Sequence, residues 1–85
     1  MSIHRSAIIE KGAQLGEGVV VGPFTTIHAK VRIGDFSTIE SHCVIGHENL
    51  HNSGAFLDIG PESLIRTHSV LYLGSKLGPY LETGH

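Results

Sequence analysis

The sequence has no tryptophan, a single cysteine and few aromatic residues of any kind. Only 6% of its 85 residues are aromatic, which disfavours a thick core of large rings and favours a thin interior of Ile, Val and Ala. One cysteine, Cys43, cannot form a disulfide framework within the chain. Because Cys43 falls where small inward side chains recur, we expect it to be buried.

The chain also lacks a strong charge of either sign and any long apolar run. Six Lys and Arg residues stand against eight Asp and Glu residues, for a formal net charge of −2. This balance gives no electrostatic footprint for nucleic acid or an anionic membrane. No segment resembles a signal peptide or approaches the ~20 apolar residues of a membrane span. We therefore expect a cytoplasmic protein without nucleic-acid or membrane partners.

A six-residue repeat of branched aliphatic side chains dominates the sequence. A period of six fits neither an α-helix nor a flat two-faced strand, and it predicts a β-solenoid in which each hexad forms one strand and one corner. Three hexads close a triangular coil, so residues 18 apart stack on one another. The repeated aliphatic positions, which we call rungs, are Ile3, Ile9, Leu15, Val21, Ile27, Ile33, Ile39 and Ile45. Four residues after each rung lies a mostly small side chain, at Ala7, Ala13, Val19, Thr25, Val31, Ser37, Cys43 and Asn49.

The repeat predicts a single domain over residues 1–85, interrupted once. Residues 3–50 make eight hexads, and residues 51–58 fit no hexad and predict a loop leaving one corner. The rungs resume at Ile59, and residues 59–85 give four hexads and a partial fifth, so about four coils are expected. The last coil of a solenoid exposes an apolar cross-section and unpaired strand edges. We therefore expect a fragment of a longer chain, or burial against other subunits.

The repeat, an aliphatic rung often followed by Gly and then by a small residue, resembles that of the hexapeptide-repeat acyltransferases. The segment 59–75 together with Thr83-Gly84-His85 is similar to acetyltransferases that act on sugars or sugar nucleotides. The resemblance implies an all-β, left-handed parallel β-helix; the hand rests on the resemblance alone. It also implies coenzyme A-dependent acyl transfer to an amine or hydroxyl of a sugar or sugar nucleotide. Acetyl-CoA or another acyl-CoA is the expected co-substrate, with no metal, and a homotrimer is the expected assembly.

The resemblance implies a catalytic residue, and the positions and chemistry of other side chains suggest residues that bind the acceptor. His85 matches the histidine of the Thr-Gly-His motif and is the expected general base, because imidazole titrates near neutrality. For binding the acceptor we expect His68, Arg66 and Asn52. His68 occupies an outward place in its hexad, Arg66 suits a phosphate or carboxylate, and Asn52 belongs to the predicted loop.

Two other classes of function stay open from the sequence. One is a non-catalytic structural or assembly β-helix, in which the histidines have no chemical role. The other is a zinc protein like the γ-type carbonic anhydrases, which use the same prism and three histidines. His42, His47 and His51 invite that comparison, since imidazole is a good zinc ligand. However, Gly46-His47 is followed by His51 after three residues, and the family's spacing has four.

Overall fold

The computed structural model describes residues 2–47, 56–74 and 76–83. These residues form twelve short strands and no helix that could cross a membrane. The strands are β1 Ser2–Ile3, β2 Ile8–Ile9, β3 Gln14–Leu15, β4 Val20–Val21, β5 Thr26–Ile27, β6 Val31–Ile33, β7 Thr38–Ile39, β8 Val44–His47, β9 Leu57–Ile59, β10 Leu64–Ile65, β11 Val70–Tyr72 and β12 Lys76–Leu77.

Every third strand pairs in parallel, so the chain winds as a triangular prism. Sheet A is β1-β4-β7-β10, sheet B is β2-β5-β8-β11 and sheet C is β3-β6-β9-β12. Within sheet A the rungs lie in register, with Ile3 opposite Val21, Val21 opposite Ile39, and Ile39 opposite Ile65. The predicted parallel β-helix of about four coils is confirmed. Each sheet is covered on its inner face by the other two, which is how a parallel sheet is normally buried.

The rung side chains fill the prism. Ile27, Ile39, Ile45 and Ile65 are fully buried in the second to fourth coils, whereas Ile3 in the first coil is 41% exposed. Burying one such side chain contributes about 1.5–3 kcal/mol. The stacked coils therefore bury one another's rungs, and the rung Ile3 of the first coil is buried less completely.

The small inward positions carry hydroxyl groups that tie one coil to the next. The Thr25 hydroxyl donates to the carbonyl of Glu40 at 2.6 Å and accepts the backbone N–H of Cys43 at 3.2 Å. Ser37 repeats this two corners further along the chain, donating to the carbonyl of Gly60 and accepting the N–H of Ser63, both at 3.1 Å. These buried hydroxyls satisfy corner backbone groups that the strands leave unpaired.

The three outer faces differ in polarity. Sheet B presents Ile8 and Val70, which are 58% and 48% exposed, and sheet A presents Val20 at 40%. The outer face of sheet C instead carries the Arg32–Asp58 ion pair, with Nε 2.5 Å from Oδ1. Sheets A and B are thus the apolar outer faces.

The interruption of the repeat ends earlier than the sequence predicts. Leu57 and Asp58, assigned to the predicted loop 51–58, belong to β9, where Leu57 pairs with Val31 and Asp58 with Arg32. Leu57 is fully buried in the column of small inward residues, a place that the sequence analysis gave to Asn49. The parallel pairing with β6 fixes this register. Asn49, like all of residues 48–55, lies outside the described residues.

Candidate functional site

The corner between sheets A and B, which we call the A–B corner, carries a column of stacked rings. Phe24, His42 and His68 occupy the same place in successive coils, with ring centroids 5.3 Å apart for Phe24–His42 and 5.1 Å for His42–His68. All three have left-handed backbones, with φ of 56°, 59° and 66°. Such a conformation costs a non-glycine residue about 1–3 kcal/mol, so the surrounding coils must hold it. His68 is therefore exposed on a fixed corner, as the sequence predicted, with its ring stacked on His42.

Arg66 lies on the same corner between two carboxylates. Its Nη1 is 3.1 Å from Oε2 of Glu82, and its Nε is 3.4 Å from Oε1 of Glu40. Nε itself is buried without a hydrogen bond, so Glu40 offsets its charge without pairing to its N–H. The backbone N–H of Arg66 also donates to the Thr83 hydroxyl oxygen at 2.9 Å. The guanidinium thus braces three successive coils, and an acceptor phosphate would have to share it with these carboxylates.

Glu40 is held in its ionised form by the same corner. Its Oε1 accepts the backbone N–H of Thr67 at 3.0 Å and the Thr67 hydroxyl at 3.2 Å. The Thr67 backbone N–H lowers the pKa of Glu40 most, and burial opposes that shift; the Thr67 hydroxyl and the charge of Arg66 lower it further. The corner is consequently a fixed array of charges and not a free cationic patch.

The other predicted residues are distributed as follows. His85, the expected general base, and Asn52 both lie outside the described residues. His42 lies at the A–B corner, whereas His47 ends β8 at the corner between sheets B and C, and His51 lies outside the described residues. Within the described ranges no group of three or more His, Cys, Asp or Glu side chains is arranged to hold a metal ion.

The corner between sheets B and C, which we call the B–C corner, holds a histidine–glutamate pair that the sequence analysis did not identify. Nδ1 of His28 lies 3.1 Å from Oε1 of Glu10, and the same oxygen accepts the backbone N–H of Ala29 at 3.0 Å. Glu10 and His28 are 18 residues apart, the length of one coil. Because residues 18 apart stack on one another, the sequence alone predicts that these two side chains lie close together. This pair borders a groove of about 370 Å³ that also contacts Lys30, Gly46, His47 and Leu73. We call it the B–C groove.

Comparison with known proteins places the chain among hexapeptide-repeat proteins. Residues 12–47 match the family described as bacterial transferase hexapeptide (six repeats). An acyl-[acyl-carrier-protein]--UDP-N-acetylglucosamine O-acyltransferase from Bartonella quintana is 38% identical over 69 residues, which are 81% of this chain and 22% of that protein. The Mesorhizobium japonicum enzyme of the same name is 54% identical over 41 residues, 48% of this chain and 15% of that protein. The chain thus spans less than a quarter of the length of these curated relatives.

Solved structures give the same fold. The Arabidopsis UDP-N-acetylglucosamine acyltransferase superposes with a TM-score of 0.69 at 23% identity, over 96% of this chain and 26% of that one. LpxA from Acinetobacter baumannii gives 0.66 at 26% identity, over 98% of this chain and 46% of that one. The expected left-handed parallel β-helix and the resemblance to hexapeptide-repeat acyltransferases are confirmed.

One prediction is overturned by these relatives. The sequence analysis expected acetyl-CoA or another acyl-CoA as co-substrate. The relatives from Bartonella quintana and Mesorhizobium japonicum are instead named for an acyl group carried on an acyl carrier protein. The six-residue repeat predicts the prism-shaped fold that the family shares, but it does not indicate whether the acyl group is carried by coenzyme A or by an acyl carrier protein. The coenzyme A prediction is therefore wrong.

Proposed function

We propose that this chain, a hexapeptide-repeat protein of the left-handed β-helix type, transfers an acyl group from an acyl carrier protein to a hydroxyl of a sugar nucleotide. The observation that carries the proposal is the 38% identity to the Bartonella quintana UDP-N-acetylglucosamine O-acyltransferase over 81% of the chain. The rigid prism supports it, because side chains on stacked corners are held in fixed positions from coil to coil.

In the proposed reaction the acceptor hydroxyl attacks the carbonyl carbon of the acyl thioester directly. His85 takes the hydroxyl proton, the carbon–sulfur bond breaks, and the carrier thiol leaves with that proton. A positioned base of this kind contributes about 10²–10⁴-fold to the rate. His68 and Asn52 are proposed to contact the acceptor. Arg66 is proposed to do so through a guanidinium already oriented by Glu40 and Glu82.

We also propose that the active form is a homotrimer. The apolar outer faces of sheets A and B support this, since Val20 is exposed on sheet A, and Ile8 and Val70 are exposed on sheet B. Sedimentation at micromolar concentration should give three times the chain mass of 9.1 kDa. A monomeric mass at that concentration would refute the trimer and would leave the proposed acyl transfer to be judged by its own assay.

The direct test is a transfer assay with the 85-residue protein. The protein is incubated with a long-chain acyl carrier protein and UDP-N-acetylglucosamine, and acylated sugar nucleotide is measured by mass spectrometry against released carrier thiol. One acylated product per released thiol is expected. Absence of any product would refute the proposed function and leave the structural β-helix as the better account.

The role of His85 is tested in the same assay. His85→Gln should lower the rate by about 10²-fold or more, because Gln cannot accept the proton. His4→Gln is the matched control, since His4 is an exposed histidine of the first coil with no proposed role. Equal rates for the two variants would rule out His85 as the base.

A further inference from the structure

Thr83 is a polar residue in a column of aliphatic rungs. The earlier members of this column in sheet A are Ile3, Val21, Ile39 and Ile65, all branched aliphatics in register with one another. Thr83 follows Ile65 by 18 residues, and the parallel bridge between residues 64 and 82 continues the same register. A hydroxyl in such an inward column destabilises the fold unless it is hydrogen-bonded.

Two hydrogen bonds fix the Thr83 hydroxyl, and the direction of each is defined. Its oxygen accepts the backbone N–H of Arg66 at 2.9 Å and lies 2.9 Å from the hydroxyl oxygen of Ser69. Ser69 donates its own hydroxyl proton to the carbonyl of Arg66 at 2.7 Å. Because a hydroxyl has one proton, Thr83 is the donor in its bond to Ser69. The Thr83 hydroxyl is therefore engaged both as a donor and as an acceptor.

The backbone beside Thr83 is fixed to the same coil. The N–H of Thr83 donates to the carbonyl of Leu64 at 3.0 Å, and Glu82 forms a parallel bridge with Leu64. The Glu82 carboxylate lies 3.1 Å from Nη1 of Arg66. Backbone and side-chain contacts together hold residues 82–83 against the fourth coil.

The place of Thr83 in the chain connects these contacts to the proposed base. Thr83 is the last described residue before His85. His85 follows Thr67 by 18 residues, so the repeat predicts it at the A–B corner, where the proposed acceptor contacts Arg66 and His68 lie. A misplacement of about 1 Å in a reacting group can cost about 10²-fold in rate, so a base needs a fixed backbone.

We infer that Thr83 is a positioning residue for acyl transfer, because its hydroxyl fixes the backbone from which His85 reaches the acceptor hydroxyl. The identity of the base rests on the proposed function, and the anchoring rests on the hydrogen bonds of Thr83. Thr83 takes no part in the proton transfer, since its hydroxyl is engaged by Arg66 and Ser69. Serine can form the same two bonds and should replace threonine in this role.

Substitutions of Thr83 in the transfer assay give the first test. Thr83→Val keeps the shape of the side chain and removes the hydroxyl, so kcat should fall by about 10- to 10²-fold while KM for the acceptor stays unchanged. Thr83→Ala, a second variant without the hydroxyl, should show the same loss, and Thr83→Ser should recover most of the rate. An unchanged kcat would overturn the inference. So would a rise in KM alone, which would assign the effect to Arg66.

A matched control separates positioning from stability. Ser37→Ala also removes a buried hydroxyl that bridges a carbonyl and an N–H, at the corner between sheets C and A. Thr83→Val and Ser37→Ala should both lower the urea midpoint of unfolding, and only Thr83→Val should lower kcat in the absence of urea. An equal loss of kcat in both folded variants would show that the loss follows stability, against the inference.

A double-substitution cycle tests whether the effect of Thr83 passes through His85. If Thr83 acts by positioning that side chain, Thr83→Val should cause no further loss of rate in the His85→Gln protein. Losses that multiply would show that Thr83 acts independently of His85. That result would refute a positioning role.

Nuclear magnetic resonance of protein with labelled histidine gives a readout that does not depend on transfer. The His85 ring signal, assigned by its loss in His85→Gln, should shift in Thr83→Val, return in Thr83→Ser and stay unchanged in Ser37→Ala. Transfer by the unaltered protein, with the rate and the signal both unchanged in Thr83→Val, would overturn the inference and leave the proposed function intact. No transfer by the unaltered protein, with the signal responding as expected, would refute the function and support the anchoring of His85 by Thr83.

Discussion

Gly46 is a position where adding a single methyl group meets both a left-handed backbone and a buried side chain. Its φ of 88° lies in the left-handed region, and a Cβ built there would overlap Cγ2 of Val31. A left-handed backbone costs an L-residue about 1–2 kcal/mol. Val31 is fully buried and β-branched, so it cannot rotate away, and overpacking of this kind costs about 1–3 kcal/mol. Gly46→Ala should therefore destabilise the protein by about 2–5 kcal/mol.

This cost is large compared with the whole stability of the chain. At about 0.05–0.15 kcal/mol per residue, 85 residues give about 4–13 kcal/mol in total. Urea unfolding followed by far-ultraviolet circular dichroism measures the difference. Gly78→Ala is the matched control, because a Cβ at Gly78 meets nothing within 4 Å, and its cost should stay within about 0.5 kcal/mol.

A second variant separates the two causes. Val31→Ala combined with Gly46→Ala removes the overlap and leaves the backbone strain, so the two substitutions should cost less together than the sum of their separate costs. The expected coupling is about 1–3 kcal/mol, the size of the overlap term. Strict additivity would show that the overlap is absent. Equal unfolding midpoints for Gly46→Ala and Gly78→Ala would refute the whole argument.

Three further predictions concern the buried and corner groups. Ser37→Ala removes a donor to Gly60 and an acceptor for a buried N–H, and should cost about 1–3 kcal/mol in the same unfolding assay, whereas Thr38→Ser on the outer face should be near neutral. Because the pKa of Glu40 is lowered in the folded state, its carboxylate stabilises the fold above the ordinary carboxyl pKa, and this stabilisation is lost as the pH falls through the lowered pKa. Glu40→Gln should therefore make the free energy of unfolding depend less steeply on pH in the acid range. Burial raises the pKa of the Cys43 thiol, so iodoacetamide at pH 8 should modify the folded protein far more slowly than the urea-unfolded one, and equal rates would contradict its burial.

The prism itself was predictable because the signal repeats. Each rung is one of many equivalent positions, so a single exception such as the interruption after Ile45 leaves the period evident. The direction of the strands and the stacking of residues 18 apart follow from the same period. These features depend on burial of aliphatic side chains, which the sequence displays directly.

The partners of Arg66 were not predictable in the same way. Arg66 lies over Glu40, but the two are 26 residues apart, since the interruption adds eight residues to one coil. Polar residues on either side of a break satisfy several alignments equally well, and only the backbone pairing of Leu57 with Val31 selects one. The Glu10–His28 pair, with no interruption between its members, was accessible to the same reasoning and needed only the chemistry of carboxylate and imidazole to be considered.

The pairing of β6 with β9 has a consequence for how such a chain diversifies. The two strands meet in register although the path between them is eight residues longer than one regular coil. Closing a flexible segment costs only about 0.6 kcal/mol for each doubling of its length, so a corner can accept additional residues at small thermodynamic expense. The stacked strands on either side then act as a fixed frame. Segments of different length and composition can therefore be exchanged at one corner. The residues of such a segment can change with little effect on the stability of the stacked strands.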